Sequence, residues 1–126
     1  MQIKEIMTRN VESIQPSATL EEAASKMDQL NVGPLPVTEG DRVVGVLTAR
    51  DIVVRAIAAG SDPKSTRVSE VMTRGLICCS EEQDVREAAR LMEDNQVRRL
   101  MVMDDRQHLA GVVSLGDLAT EGDDEA

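Results

Sequence analysis

Glu5-Ile6-Met7-Thr8-Arg9 returns as Glu70-Val71-Met72-Thr73-Arg74, 65 residues further on. The same shift carries Glu22-Ala23-Ala24 onto Glu87-Ala88-Ala89, Met27 onto Met92, and Val32, Leu35 and Val37 onto Val97, Leu100 and Val102. One extra residue in the second copy's turn raises the shift to 66. Gly45-Val46-Leu47-Thr48-Ala49-Arg50-Asp51 then meets Gly111-Val112-Val113-Ser114-Leu115-Gly116-Asp117. The chain is an internal duplication, and a duplication sets the architecture before any single element does.

Around these anchors each copy reads β-α-β-β-α. The first opens on a short apolar turn at 3–7 and a brief strand at 11–14, broken by Gln15-Pro16-Ser17. Thr19 with Glu22 three residues later is a capping box. Leu20, Ala23, Ala24, Met27 and Leu30 follow at helical spacing until Gly33-Pro34. Strands at 35–37 and 43–47 flank the Glu39-Gly40-Asp41 turn as a hairpin. Thr48 caps a helix through Ile52, Val53 and Ile57, with Gly60 as its stop. In the second copy a strand at 76–79 precedes a helix capped by Asp84, with Val85, Ala88, Ala89 and Met92 on its inner face. A hairpin at 100–103 and 109–113 follows, then a helix capped by Ser114 and cut short after Leu118.

This order predicts an α+β fold, two β-α-β-β-α repeats packed with pseudo-two-fold symmetry into one module. The expected boundaries are repeat 1 at 1–60, a linker at 61–67, repeat 2 at 68–118, and an acidic tail without fixed structure at 119–126. Each half alone is near the size where a core is marginal. The halves are therefore expected to share one hydrophobic core.

Composition narrows the function. Net charge is −9, of which Glu121, Asp123, Asp124 and Glu125 place four in the tail and leave five on the body. An acidic body repels nucleic acid and anionic lipid. Phe, Tyr and Trp are all absent. A flat ligand must be gripped by aliphatic side chains and backbone, and the usual stacking platforms for single-stranded nucleic acid are missing. No apolar run approaches the roughly 20 residues of a membrane span, and the first residues lack a signal-peptide pattern. The expectation is a cytoplasmic protein bound to neither nucleic acid nor membrane.

Thr48 and Asp51 carry the chemistry. Thr48 stands where a strand gives way to a helix, whose first N–H groups are unsatisfied and whose dipole is positive there. Such a place suits phosphate, and a cap hydroxyl adds a hydrogen bond. Asp51, three residues on, lies on the same side. A carboxylate accepts two hydrogen bonds, which suits vicinal ribose hydroxyls. Ser114 and Asp117 repeat the pair. Thr-x-x-Asp is also a plain N-cap with an acidic first turn, and duplication explains its recurrence without proving retained binding.

Together the Ile-Met-Thr and Val-Met-Thr heads, Leu35-Pro36-Val37, Leu100-Met101-Val102 and the two Gly-to-Asp motifs make the chain resemble a tandem pair of CBS domains, a Bateman module. The resemblance runs from about Ile3 to Leu118. The stand-alone form is similar to small bacterial proteins of the hypoxic-response type. It implies a regulatory module, not an enzyme, that binds AMP, ADP, ATP, NAD or S-adenosylmethionine in two clefts between the copies and signals to an unidentified partner protein. It implies roles for Thr48 and Asp51 in the first cleft, for Ser114 and Asp117 in the second, and for Thr8 and Thr73 near sugar or base. The resemblance further implies that residues before the middle strand of one copy reach the ligand of the other, here Arg98 and Arg99 for the first cleft and Gly33 and Pro34 for the second.

Guanidinium suits phosphate, although Arg98-Arg99 could equally bridge Glu93 or Asp94 at the surface. Arg50 stands beside Asp51, where the second copy has Gly116. The expectation is unequal clefts, the first preferring a phosphorylated adenine nucleotide. CBS pairs commonly form dimeric discs, and Ile52, Val53 and Ile57 are the candidate surface for a homodimer. The alternative is a structural or protein-interaction dimer that keeps the fold without the ligand. Cys78 and Cys79 point to opposite strand faces and read as structural, with a redox role as the other possibility. His108, the one histidine, sits in a turn. No metal-ligand cluster, nucleophile–base pair or Walker loop is visible in the sequence.

Overall fold

A computed structural model describes residues 1–31, 34–74 and 77–119. In chain order the elements are a 3₁₀ turn (Ile3–Glu5), α1 (Leu20–Leu30), β1 (Leu35–Glu39), β2 (Arg42–Leu47), α2 (Ala49–Asp51) running into a π-helical segment (Ile52–Ile57), α3 (Val68–Val71), β3 (Cys78–Ser80), α4 (Val85–Asn95), β4 (Arg99–Met103) and β5 (Leu109–Ser114). A last helical turn covers 115–119. The expectations for Val32, Gly33, Leu76 and the tail beyond 119 fall wholly or partly outside the described residues.

Local chemistry starts the helices where the sequence says. The Thr19 hydroxyl accepts the Glu22 N–H at 3.2 Å and opens α1. Asp84 opens α4 by accepting the Arg86 N–H at 2.8 Å. Both helices end on a left-handed residue, Asn31 (φ +53°) and Gln96 (φ +54°), whose N–H returns to the last carbonyls. Leu20, Ala23 and Met27 of α1 are buried, but Ala24 and Leu30 face outward. The buried stripe is thus narrower than the apolar spacing suggested.

The hairpins are near copies. β1 pairs antiparallel with β2, setting Leu35 across from Leu47 and Val37 from Gly45. β4 pairs antiparallel with β5, setting Leu100 across from Val113 and Val102 from Gly111. Each ladder slips at the matching place, after Val37 and after Val102. The extra residue of the second turn is accommodated by Asp104, whose Oδ1 accepts the N–H groups of Arg106 and His108 at 2.8 and 2.9 Å.

The leading strands differ. β3 adds parallel to β4 and makes a three-stranded sheet. The strand expected at 11–14 shrinks to a single bridge from Ile14 to Val37, leaving a two-stranded sheet. The Gln15-Pro16-Ser17 break follows at once and limits the ladder.

The chain resolves into two compact units that cut across the repeats. One comprises Met1–Val11 with Ile77–Ala126, and the other is the continuous stretch Glu12–Leu76. The head of each repeat therefore packs with the body of the other. The single shared core expected from half-length is replaced by two cores. Ile14, Leu20, Ala23, Met27, Leu35, Val37, Leu47, Ala56, Val68, Val71 and Met72 form one. Ile3, Met7, Cys79, Ala88, Met92, Leu100, Val102 and Val113 form the other. Exchanging heads lets a hairpin and helix gain apolar partners that their own repeat supplies to the opposite unit.

Candidate functional site

In the continuous unit, β2 ends at Leu47 and Thr48 turns the chain into α2. The Thr48 hydroxyl accepts the Asp51 N–H at 3.1 Å, and the Asp51 carboxylate accepts the Thr48 N–H at 3.0 Å. This reciprocal box fixes both side chains without consuming the hydroxyl's own proton, which remains able to donate. Asp51 is one of two buried polar side chains among the described residues, the other being Thr38. A buried carboxylate needs donors, and the head of the second repeat provides one. Thr73 lies across β2, exchanging backbone hydrogen bonds with Val46 at 2.8 and 3.0 Å. Its hydroxyl donates to Asp51 at 3.1 Å from Oδ1 and 3.3 Å from Oδ2.

The sequence did not single out Arg55. Its Nε lies 3.9 Å from Asp51 Oδ1, and its Nη1 donates to the carbonyls of Val71 and Met72 at 3.3 and 3.2 Å. The i,i+4 spacing from Asp51 was the available signal. Arg50, expected at the site, is exposed.

The other unit repeats the box. The Ser114 hydroxyl accepts the Asp117 N–H at 3.1 Å, and the Asp117 carboxylate accepts the Ser114 N–H at 2.9 Å. Thr8 lies across β5 as Thr73 lies across β2, exchanging backbone bonds with Val112 at 2.9 and 3.0 Å. Among the described residues, no hydrogen bond joins the Thr8 hydroxyl to Asp117. Arg98 and Arg99 are exposed in this unit. The ladder sets Arg99 across from Ser114, and the Arg98 carbonyl accepts the Leu115 N–H at 2.8 Å.

The structure thus gathers Thr48, Asp51 and Thr73 in one unit, and Thr8, Arg98, Arg99, Ser114 and Asp117 in the other. Both motif glycines mark the crossing of a head. A Cβ on Gly45 would meet Met72 Sδ at 2.7 Å and the Thr73 carbonyl at 2.9 Å. On Gly111 it would meet the Thr8 carbonyl at 2.5 Å.

Other candidates sort simply. Cys79 is buried and Cys78 exposed. Burial, with Cys78 beside it, pushes the Cys79 thiol up to about 11, and partial desolvation by its neighbours raises Cys78 although it reaches the surface. Both thiols therefore stay protonated near neutrality, which suppresses their nucleophilicity. Among the described residues no group of three or more His, Cys, Asp and Glu side chains could hold a metal ion, and no helix is long and apolar enough to cross a membrane.

The comparisons with known proteins agree on one family. The CBS domain model matches residues 3–57 and again 68–123. The CBS domain-containing protein YhcV of Bacillus subtilis is 44% identical over 117 residues, covering 93% of this chain and 82% of that one. Hypoxic response protein 1 of Mycobacterium tuberculosis is 33% identical over 117 residues, covering 92% of this chain and 81% of that one. A crystal structure of hypoxic response protein I, with two coordinated zinc ions, matches at a TM-score of 0.86 and 32% identity, over 96% of this chain and 98% of that one. The CBS domain pair of protein MJ0100, in complex with 5′-methylthioadenosine and S-adenosyl-L-methionine, matches at a TM-score of 0.84 over 100% of this chain and 98% of that one. At 24% identity that likeness is one of fold.

Proposed function

Because this chain belongs to the CBS domain family, with two CBS domains in tandem, we propose that it is a regulatory module that binds an adenosine-containing ligand. The candidates are AMP, ADP, ATP, NAD and S-adenosylmethionine, and the module works by binding rather than catalysis. The observation that carries this reading is the duplicated box: a hydroxyl and a carboxylate held in fixed mutual geometry at the same strand-to-helix corner of both units. Asp51 and Asp117 are assigned to ribose hydroxyls, and Thr48 and Ser114 to phosphate or ribose. Thr8 and Thr73 stand beside the sugar. Arg98 and Arg99, with Arg50, are assigned to phosphate, where a guanidinium fork is the better cation.

Ligand shifts the module only through a difference in affinity between its states, and a partner protein reads the shift. The reading includes a homodimer. Its apolar surface is formed by Val53, Val54 and Ile57, each more than half exposed, whereas Ile52 packs against the core.

With no Trp or Tyr, the protein is nearly transparent at 280 nm. A purified sample is expected to carry an adenine band near 260 nm that leaves on denaturation and filtration, or to give heat in calorimetry with AMP, ATP, NAD or S-adenosylmethionine. The Asp51→Ala/Asp117→Ala double variant is expected to lose at least about tenfold in affinity, since each substitution removes hydrogen bonds to a charged acceptor. Silence from all four ligands and no retained band would overturn the reading in favour of a ligand-free interaction dimer.

A further inference from the structure

The two motif carboxylates are not in the same state. Asp51 already serves two donors, the Thr48 N–H on Oδ2 and the Thr73 hydroxyl straddling both oxygens, with the Arg55 guanidinium 3.9 Å from Oδ1. Arg55 also grips the Val71 and Met72 carbonyls, and Thr73 is tied to Val46 through its N–H and carbonyl. The head residues 71–73 are thus fastened to the motif through Asp51 and its neighbour four residues on. Among the described residues, Asp117 has the Ser114 N–H and no hydrogen bond from the Thr8 hydroxyl. At the shift that aligns the motifs, the residue matching Arg55 is Glu121, an acid incapable of the same grip.

A carboxylate offers about four lone-pair positions. A vicinal diol needs two, the Thr48 N–H holds one, and the bifurcated Thr73 hydroxyl covers the face between the oxygens. The diol and Thr73 therefore contend for the same acceptors.

Resting on the function proposed above, we infer that Thr73 is an internal stand-in for a ligand hydroxyl, and that Arg55 and Thr73 together form a latch on the first motif alone. A ligand taking Asp51 displaces the Thr73 hydroxyl and loosens the segment around it. The second motif, unlatched, binds without that cost. Thr73 then opposes binding at the first motif, in contrast to a residue that adds a contact to the ligand.

The test uses the full chain carrying Asp117→Ala, so that the first motif is read alone, with AMP as the probe. Thr73→Val keeps the shape and removes the hydroxyl. Calorimetry should show AMP binding about fivefold tighter than in the parent, the worth of roughly one hydrogen bond. Arg55→Gln should shift affinity in the same direction. Independently of either variant, AMP should speed hydrogen exchange at the Thr73 and Val46 amides of the parent. Unchanged or weaker AMP binding in Thr73→Val, or amide protection that AMP leaves intact, overturns the latch while leaving the ligand reading standing. Absence of AMP binding in the parent, in Thr73→Val and in the chain with both carboxylates intact overturns AMP as ligand and the latch together.

Discussion

Gly45 and Gly111 lack side chains because another stretch of chain runs over them. Both crossings set a carbonyl and a thioether over the glycine, at different closeness. An added Cβ would lie 2.5 Å from the Thr8 carbonyl and 3.0 Å from Met7 Sδ at Gly111, against 2.9 Å from the Thr73 carbonyl and 2.7 Å from Met72 Sδ at Gly45. A thioether gives way more readily than a hydrogen-bonded carbonyl. Gly111→Ala is therefore expected to cost about 2–3 kcal/mol and Gly45→Ala about 1–2 kcal/mol, the range for overpacking a close contact. Urea unfolding midpoints at constant m-value check the order, and a smaller loss at Gly111 would contradict it. At this scale the sequence was informative about which residues recur but not about why. The Gly-to-Asp motif was legible as a capped strand-to-helix corner. Its first residue turns out to serve the crossing of a head, and Arg55 escaped notice because its partners Val71 and Met72 lie 16 and 17 residues away as bare carbonyls.

At the scale of elements, caps were the most readable signal, because a hydroxyl or carboxylate two or three residues before its target needs no tertiary partner. Thr19, Thr48, Asp84 and Ser114 all cap as their spacing implies. Winding was less readable: the helix through Ile52 to Ile57 is π-helical, with the Ala58 N–H reaching back to Val53 at 2.9 Å, and spacing alone assigned Ile52 to the wrong face. Asp84 gives this scale its prediction. The Arg86 N–H and guanidinium lower its pKa to about 2 from an ordinary 3.8. A carboxylate depressed in the folded state stabilises above its unfolded value, and that stabilisation is lost as pH falls from there through about 2. Asp84→Asn keeps a capping oxygen but not the charge. Thermal unfolding should show the wild type melting above Asp84→Asn at neutral pH, with the gap closing between pH 4 and 2. A gap that persists unchanged at pH 2 would show that the charge is not its source.

For the whole molecule, the duplication was plain in the sequence, yet its partition into packing units was not. Self-similarity identifies which residues descend from one another, and packing decides which residues bury one another. Met7 and Met72 occupy matching places in the two copies, and each is buried in the core of the other copy's body. The consequence can be tested with fragments. The piece 12–76 holds every member of one core, including Val68, Val71 and Met72 from the second head. The piece 1–60, a complete repeat by sequence, lacks those three and carries Ile3 and Met7, whose partners lie beyond residue 76. Burying a Val or Met side chain is worth roughly 1.5–3 kcal/mol, so three missing core residues exceed the stability that a unit of this size can spare. The expected result is cooperative thermal unfolding, dispersed amide NMR signals and helical circular dichroism for 12–76, and a disordered spectrum for 1–60. Equal folding by both pieces would mean that the exchanged head is dispensable to the unit it joins, and failure of 12–76 alone would mean that its core is insufficient without the rest of the chain.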